Sequence, residues 1–439
     1  MATANLSLQQ AIDQRPLSWL QIRVILLCWL VNLLDGFDLL AISFAAPAIS
    51  SEWQLTPEAL GIVFSSGLAG MTAGSLLLGP MADRIGRRRM IIVATLFLGV
   101  ATLATSAAAS LWSLLTLRFI TGLAIGGLLP SLNTLVAEYS PDRRRNFAVS
   151  IMHLGFPVGG ILGGALAAII IPEHGWQSIF VVAGALTLIM VPLLVVGLPE
   201  SLPFLQRQKT PAANLTAEKI CTQMDIDWSS IEPSSTTESI GAVSQILRPP
   251  WLSPSVALWG CFFFGYLALY FLINWIPTIL TNAGMSTGSA IGAGIAINIG
   301  GGIGMLTLGW LSATRAIRPM ISVSFIISAG LMALLGQNLL SVNGLLLLTG
   351  ITGFFGLGGL IGLYSVAARF YPDYNRASGV GLAIGAGRFG AILGPLIGGI
   401  LIGMDWQMAN YFLLLAIPLV LAGLIIHRVN DVGIEPPKQ

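Results

Sequence analysis

Two aspartates three residues apart, Asp35 and Asp38, stand in the middle of an apolar run from 22 to 49. That run is long enough to cross a bilayer, for which about 20 residues suffice. An ionised carboxylate at such depth costs about 2.5 to 3.5 kcal/mol on insertion scales, so two of them ask for more than packing. The i, i+3 spacing puts both on one helix face, which must line a wet, protein-enclosed cavity rather than lipid. Carboxylates so placed can take up and release protons. Two arginines are equally deep, Arg118 and Arg388. A cation there needs an acidic partner or a water-filled path, and for Arg118 an Asp of the first apolar run is a candidate partner. This leaves Arg118 open to a role in proton coupling or in a structural ion pair. Arg388 lies about ten residues inside its span, roughly 15 Å deep at 1.5 Å per residue. A guanidinium can hold a carboxylate by two parallel hydrogen bonds, so a binding role is the stronger reading for Arg388.

The elements that position these groups follow from composition. Of 439 residues 55% are apolar, only 9% are charged and 51 are glycine, which excludes an ordinary soluble core. The chain reads as an all-α polytopic membrane protein. Hydropathy predicts twelve transmembrane helices, at 21–48, 58–80, 89–110, 113–137, 146–171, 177–198, 253–281, 289–311, 318–336, 343–367, 378–402 and 408–427. Apart from Arg118 and Arg388, every Lys and Arg then falls on one side of the membrane. Basic loops resist translocation, so that side is cytoplasmic and holds both termini, and no cleavable signal is expected. The expected organisation is a cytoplasmic tail 1–20, a six-helix bundle 21–198, a cytoplasmic linker 199–252, a second bundle 253–427 and a tail 428–439. The linker should open a short helix at Thr210 and Pro211 and be mobile from 225 to 239. Cys28, Cys221 and Cys261 form neither a C-x-x-C pair nor an even set, so no disulfide framework and no metal site is expected.

Between the second and third spans, Gly79, Asp83, Arg84, Gly86, Arg87 and Arg88 fill the pattern G-x-x-x-D-[RK]-x-G-[RK]-[RK]. Gly79 and Gly86 would permit close approach and a tight turn, and Asp83 would pair with basic groups or helix ends to latch neighbouring helices. Glu138, near the end of the fourth span, reads equally as gate or interface residue. Pro141, Asp142 and Arg145 return as Pro372, Asp373 and Arg376, and Gly79 as Gly309, at an offset of about 230 residues. Such a repeat implies two pseudo-symmetric six-helix bundles with a substrate handled near the midplane. The loop after Gly309 lacks the acid that Asp83 supplies. The seventh span carries Tyr266, Tyr270, Asn274 and Trp275. Aromatics at i, i+4 can flank a flat ligand or pack in a core; Phe354, Phe355 and Tyr364 of the tenth span have the same ambiguity.

The acids of the first span, the complete 79–89 motif, Arg118, the Asn274-Trp275-Ile276-Pro277 stretch and the pair Arg376 and Arg388 together resemble the aromatic acid:proton symporter family of the major facilitator superfamily. The resemblance covers the membrane portion, and implies the major facilitator fold. It also implies import of a benzoate- or hydroxybenzoate-type carboxylate with protons by alternating access, at the inner membrane. By motif match it gives Asp35, Asp38, Asp83, Arg118, Arg376 and Arg388 roles in transport. In the mechanism then expected, Arg388 holds the carboxylate, and Phe37, Tyr266, Tyr270 and Trp275 surround the ring beside Asn274. Asp35 or Asp38, with Arg118, handles the proton; Asp83, Arg84, Arg87, Glu138 and Arg376 gate. Partners are an organic anion, protons and the bilayer, with no cofactor and no nucleic acid, and the expected carrier is monomeric. An aliphatic acid such as muconate is the alternative substrate, and proton-driven efflux a rival activity. A sensor role is disfavoured by the absence of a signalling domain, and an enzyme by the absence of any nucleophile–base constellation.

Overall fold

A bilayer core offers backbone groups no water, so each long apolar segment has to close its hydrogen bonds within itself. In a computed structural model of the protein, which describes residues 7–228, 231, 243–311, 316–371 and 375–429, twelve helices are long and apolar enough to cross a membrane. They are α1 (Trp19–Trp53), α2 (Pro57–Ile85), α3 (Arg87–Thr105), α4 (Leu111–Tyr139), α5 (Asp142–His174) and α6 (Gln177–Gly197) in the first half. The second half has α7 (Leu252–Asn282), α8 (Thr287–Leu311), α9 (Ile317–Gly336), α10 (Val342–Phe370), α11 (Arg376–Gly403) and α12 (Met408–Ile425). Several outrun the predicted spans. At 35 residues, α1 is roughly 53 Å long, well beyond a hydrocarbon core of about 30 Å. Hydropathy marks only the apolar stretch, whereas the helix continues until a cap or a turn stops it, here Gln54 at φ +49°.

Glycines set which helices pair, and they pair in the same way in both halves. A Cβ on Gly70 of α2 would run into the Phe119 carbonyl of α4, and one on Gly300 of α8 into the Gly350 carbonyl of α10. Likewise Gly159 of α5 faces the Leu33 carbonyl of α1, and Gly390 of α11 that of Phe263 in α7. Without hydrophobic drive between helices in lipid, close backbone approach through small residues supplies the packing energy. Each first-half residue of these pairs has its counterpart about 230 residues on, so the sequence repeat is a repeat of contacts. Gly79 is different: a Cβ there meets nothing within 4 Å, so no close approach requires it.

The chain divides into two compact units that do not follow the six-plus-six boundary. The first holds Met1–Asp38, Gly70–Gly159 and Phe180–Thr237; the second holds Leu39–Ala69, Gly160–Ile179 and Glu238–Gln439. Thus the ends of α1, α2 and α5 farthest from the arginine-rich loops pack with the second half. The linker was expected to be mobile from 225; the described part instead joins the first unit's core. Thr210 caps the helix Pro211–Thr222 by accepting from the Ala213 N–H, and Ala217, Ile220, Cys221, Met224, Ile226 and Ile231 are buried with Ile12 and Leu205. Burial pushes the Cys221 thiol up to about 12, which makes it a packing group rather than a nucleophile. Residues 232–242, the 312–315 loop with Ala313 and Arg315, and Pro372 and Asp373 lie outside the described residues.

Candidate functional site

In the first unit Asp38 and Arg118 meet. Arg118 Nη1 stands 3.4 Å from Asp38 Oδ2, with side chains 3% and 1% exposed. Thr102 donates its hydroxyl to Asp38 Oδ1 at 2.6 Å, Arg118 Nη2 donates to Thr105 Oγ1 at 2.8 Å, and the guanidinium carbon lies 4.9 Å from the centre of the Phe180 ring. At an effective dielectric of about 20 the pair's gross attraction is of order 5 kcal/mol, whereas removing each ion from water costs several kcal/mol. The pair therefore gives little net stability. Its cation, however, keeps a hydroxyl and an aromatic face whichever charge Asp38 carries. Asp35 is wholly buried one turn earlier, and Phe37 is buried between the two acids.

Gly36 has its own reason to be there. A Cβ at that position would fall on the Phe156 carbonyl of α5, and Gly155 faces the Trp29 carbonyl in return. Helix α5 thus presses on α1 at the acidic turn while Asp38 faces α3 and α4. Thr102, Thr105 and Phe180 escaped the sequence reading, since a threonine inside an apolar span carries no periodic or motif signal.

In the second unit Arg388 is half-buried on α11 beside Gly387, against which the Tyr266 ring of α7 rests; a Cβ on Gly387 would stand 3.1 Å from that ring. Tyr266 and Tyr364 of α10 are hydrogen-bonded hydroxyl to hydroxyl, and the Tyr266 and Tyr270 rings stack with centroids 5.4 Å apart and planes at 11°. Farther along α7 the side chains are engaged in a seam with α1, α2 and α11. Asn274 accepts from the Ser43 hydroxyl at 3.2 Å and donates to the Tyr270 carbonyl at 2.7 Å. Trp275 is 1% exposed, donates Nε1–H to the Pro395 carbonyl at 2.9 Å and meets Phe64 edge-on at 5.3 Å. Ser65 of α2 donates to the Ile392 carbonyl at 2.7 Å. A Cβ on Gly61 would stand 2.9 Å from the Pro395 carbonyl, and one on Gly399 2.6 Å from that of Pro57. Asn274 and Trp275 therefore stand in this seam rather than in the tyrosine cluster.

At the arginine-rich end of the first unit the hub is Arg87. It is 9% exposed and reaches Asp83 at 3.2 Å and Glu138 at 3.3 Å, with a further bond to Ser201 Oγ at 3.2 Å. Asp83 itself is 60% exposed, so its pairing is a weak surface interaction, and the buried Arg87–Glu138 pair holds α3 to α4. Gly86 at φ +102° makes the turn, with the Glu200 carboxylate close against it; Glu200 Oε1 accepts from the Arg88 N–H at 3.1 Å. Tyr139 donates to the Glu200 carbonyl at 2.6 Å. Arg84 is exposed, and Arg376, also exposed, opens α11.

The sequence matches the model of the Major Facilitator Superfamily over residues 28–340 and 300–438. It is 36% identical over 436 residues to the 4-hydroxybenzoate transporter PcaK of Pseudomonas putida, covering 96% of this chain and 97% of that protein. Identity to the gallate transporter of Pseudomonas putida is 34% over 427 residues, covering 96% and 95%. Among solved structures, the inward open conformation of the xylose transporter XylE from E. coli is similar in fold, with a TM-score of 0.73 at 16% identity over 95% of this chain and 98% of that one.

Proposed function

The chain belongs to the Major Facilitator Superfamily, in its aromatic acid:proton symporter branch, and on that premise we propose that it imports a benzoate- or hydroxybenzoate-type carboxylate together with protons. It is a carrier and not an enzyme. The observation that carries the reading is a half-buried arginine within an apolar span, Arg388, next to the Gly387 on which the Tyr266 ring packs, in a chain that also buries an Asp38–Arg118 pair. Arg388 takes the carboxylate through two N–H groups, and the Tyr266 and Tyr270 rings offer the flat neighbour.

Asp38 is the proton carrier in this proposal. Its carboxylate sits between a cation and a hydroxyl donor; protonation removes the counter-charge while Thr105 and Phe180 keep hold of Arg118. Coupling is reciprocal, so protonation tightens substrate binding by the factor by which substrate favours protonation. A monoanion moving with one proton carries no net charge, and a second proton, for which Asp35 is available, adds about 2.3 kcal/mol per 100 mV. Alternating access requires the Gly61, Ser65 and Trp275 seam to part, and the Arg87–Glu138 cluster belongs to the opposite gate. The arginine-rich loops and both termini lie in the cytoplasm of a cell whose inner membrane holds the protein as a monomer.

The test is uptake of labelled benzoate, 4-hydroxybenzoate, gallate and muconate into vesicles containing the protein, with an imposed pH gradient. Expected is accumulation of at least one aromatic acid, driven by an acidic exterior and abolished by a protonophore. Accumulation indifferent to the protonophore, or export alone, would overturn the proposal.

A further inference from the structure

A threonine inside a helix ordinarily turns its hydroxyl back onto its own helix and donates to the carbonyl one turn earlier. On α3, Thr95 does so to Ile91 at 2.7 Å and Thr105 to Ala101 at 2.8 Å. Thr102 stands between them and departs from the pattern. Its one hydrogen goes to Asp38 Oδ1 of α1 at 2.6 Å, the length of an O–H···O⁻ bond, so the Leu98 carbonyl does not receive it. All three threonines are wholly buried, and exposure therefore does not account for the difference.

The two threonines nearest the ion pair thus serve opposite charges. Thr105 accepts from Arg118 Nη2 at 2.8 Å while its own hydrogen stays on Ala101, so its hold on the cation does not depend on Asp38. Thr102 faces the charge that changes. An ionised carboxylate only accepts, and Thr102 donates to it; a protonated one carries an O–H that needs an acceptor, and a hydroxyl oxygen is one. We propose that Thr102 is a positioning residue for the proton on Asp38, a hydroxyl whose bond to the acid reverses direction as the acid is loaded and emptied. On loading, the incoming proton forms the O–H bond of Asp38, and that hydrogen is given to Thr102 Oγ1. The threonine hydrogen turns to the Leu98 carbonyl, as those of Thr95 and Thr105 already point to theirs. No covalent bond of Thr102 breaks. Asp38 therefore keeps its partner in both states, where an unmatched buried polar group would be costly. Among the described residues Arg118 of α4 is the one charged group bonded to Asp38. Helix α3 brings only hydroxyls, α6 sets the Phe180 ring against the guanidinium, and α5 meets the acidic turn through the Phe156 carbonyl. Asp35 stands one turn earlier on α1 itself. The inference rests on the import function proposed above and adds to it the group that lets Asp38 change charge in place.

The experiment is vesicle uptake against external pH, using whichever of benzoate, 4-hydroxybenzoate, gallate and muconate the wild type accumulates most. Thr102→Val keeps the shape without the hydroxyl, Thr102→Ala lacks the hydroxyl and cannot clash, and Thr102→Ser keeps the hydroxyl. The bond Thr102 gives to a charged acid is stronger than the one it takes from a neutral acid, by the equivalent of about one pH unit. Half-maximal uptake should therefore move by about one unit toward higher pH in Thr102→Val and Thr102→Ala, and stay at the wild-type position in Thr102→Ser. Infrared difference spectra of the full chain in lipid nanodiscs, taken between high and low pH, give a second reading. The C=O band of a protonated carboxyl, assigned by its loss in Asp38→Asn, should keep its frequency in Thr102→Ser and shift in Thr102→Val. A profile unmoved in both hydroxyl-free variants, a serine variant that shifts as far as they do, or a wild type without that band would overturn the inference and leave the import function standing. Wild-type uptake that ignores external pH would instead bring down the import function, and this inference with it.

Discussion

Both halves of the molecule carry an arginine well inside an apolar helix, and they surround it differently. Arg118 is 2% exposed and sits on Asp38, Thr105 and the face of Phe180. Arg388 is half-buried next to Gly387, on which the Tyr266 ring packs. In the function proposed above, the cation buried on its counter-ion handles a proton and the half-buried one a carboxylate. The adjoining glycines follow the same division. Gly36 faces the backbone of Phe156, which cannot yield, while Gly387 faces the ring of Tyr266, which can.

The largest effect should come from neutralising the two arginines one at a time. Arg388→Gln is expected to weaken benzoate-type binding about a hundredfold or more, as for other charge partners truncated in a binding site. Arg118→Gln should leave binding within a few-fold, on the order of one neutral hydrogen bond, yet abolish proton-driven accumulation. Calorimetry and vesicle uptake on both variants check this, and parallel losses in the two would erase the distinction drawn here. Next in size, Asp38→Asn should stop accumulation under a pH gradient but preserve substrate counterflow, because Asn resembles the protonated acid; loss of counterflow as well would make Asp38 a structural partner.

Smaller effects test the glycines. Thermal unfolding of Gly36→Ala should show a loss of about 1 to 3 kcal/mol as α1 and α5 are forced apart. Gly387→Ala, where a ring shifts by a few tenths of an ångström, should lose less than about 1 kcal/mol. The smallest effect is expected outside both sites: Cys221, its thiol held at about 12 by burial, should resist maleimide at pH 8 in the folded protein and label readily once unfolded. Rapid labelling of the native chain would mean that the linker's packing on the first unit opens easily.

Much of this was legible before any coordinates. Charge in hydrocarbon is costly enough that Asp35, Asp38, Arg118 and Arg388 announce themselves, and the offset of about 230 residues implied duplicated halves, which contacts such as Gly70 with Phe119 and Gly300 with Gly350 repeat. Other features were read differently. The 79–89 motif directs attention to Asp83, but the turn at Gly86 leaves Asp83 60% exposed and buries Arg87 against Glu138 and Ser201. The resemblance places Trp275 against the substrate ring, whereas its indole N–H is committed to the Pro395 carbonyl. The linker reads as mobile beyond 225, yet Ile226 and Ile231 are buried in the first unit. Spacing tells which residues share a helix face, and it is silent on what that face meets.

The sequence by itself determined the membrane habit, the twelve spans, the duplicated halves and the four charged residues at depth, because each follows from the energetics of transferring one segment or one side chain into a bilayer. Only the tertiary structure decided which of those charges are buried together and which is half-buried, and that two phenols from α7 and α10 share one hydrogen bond. Those facts depend on the rotation of each helix about its own axis. Helix rotation is fixed by glycine-to-carbonyl contacts between segments far apart in the chain, and no local pattern records it.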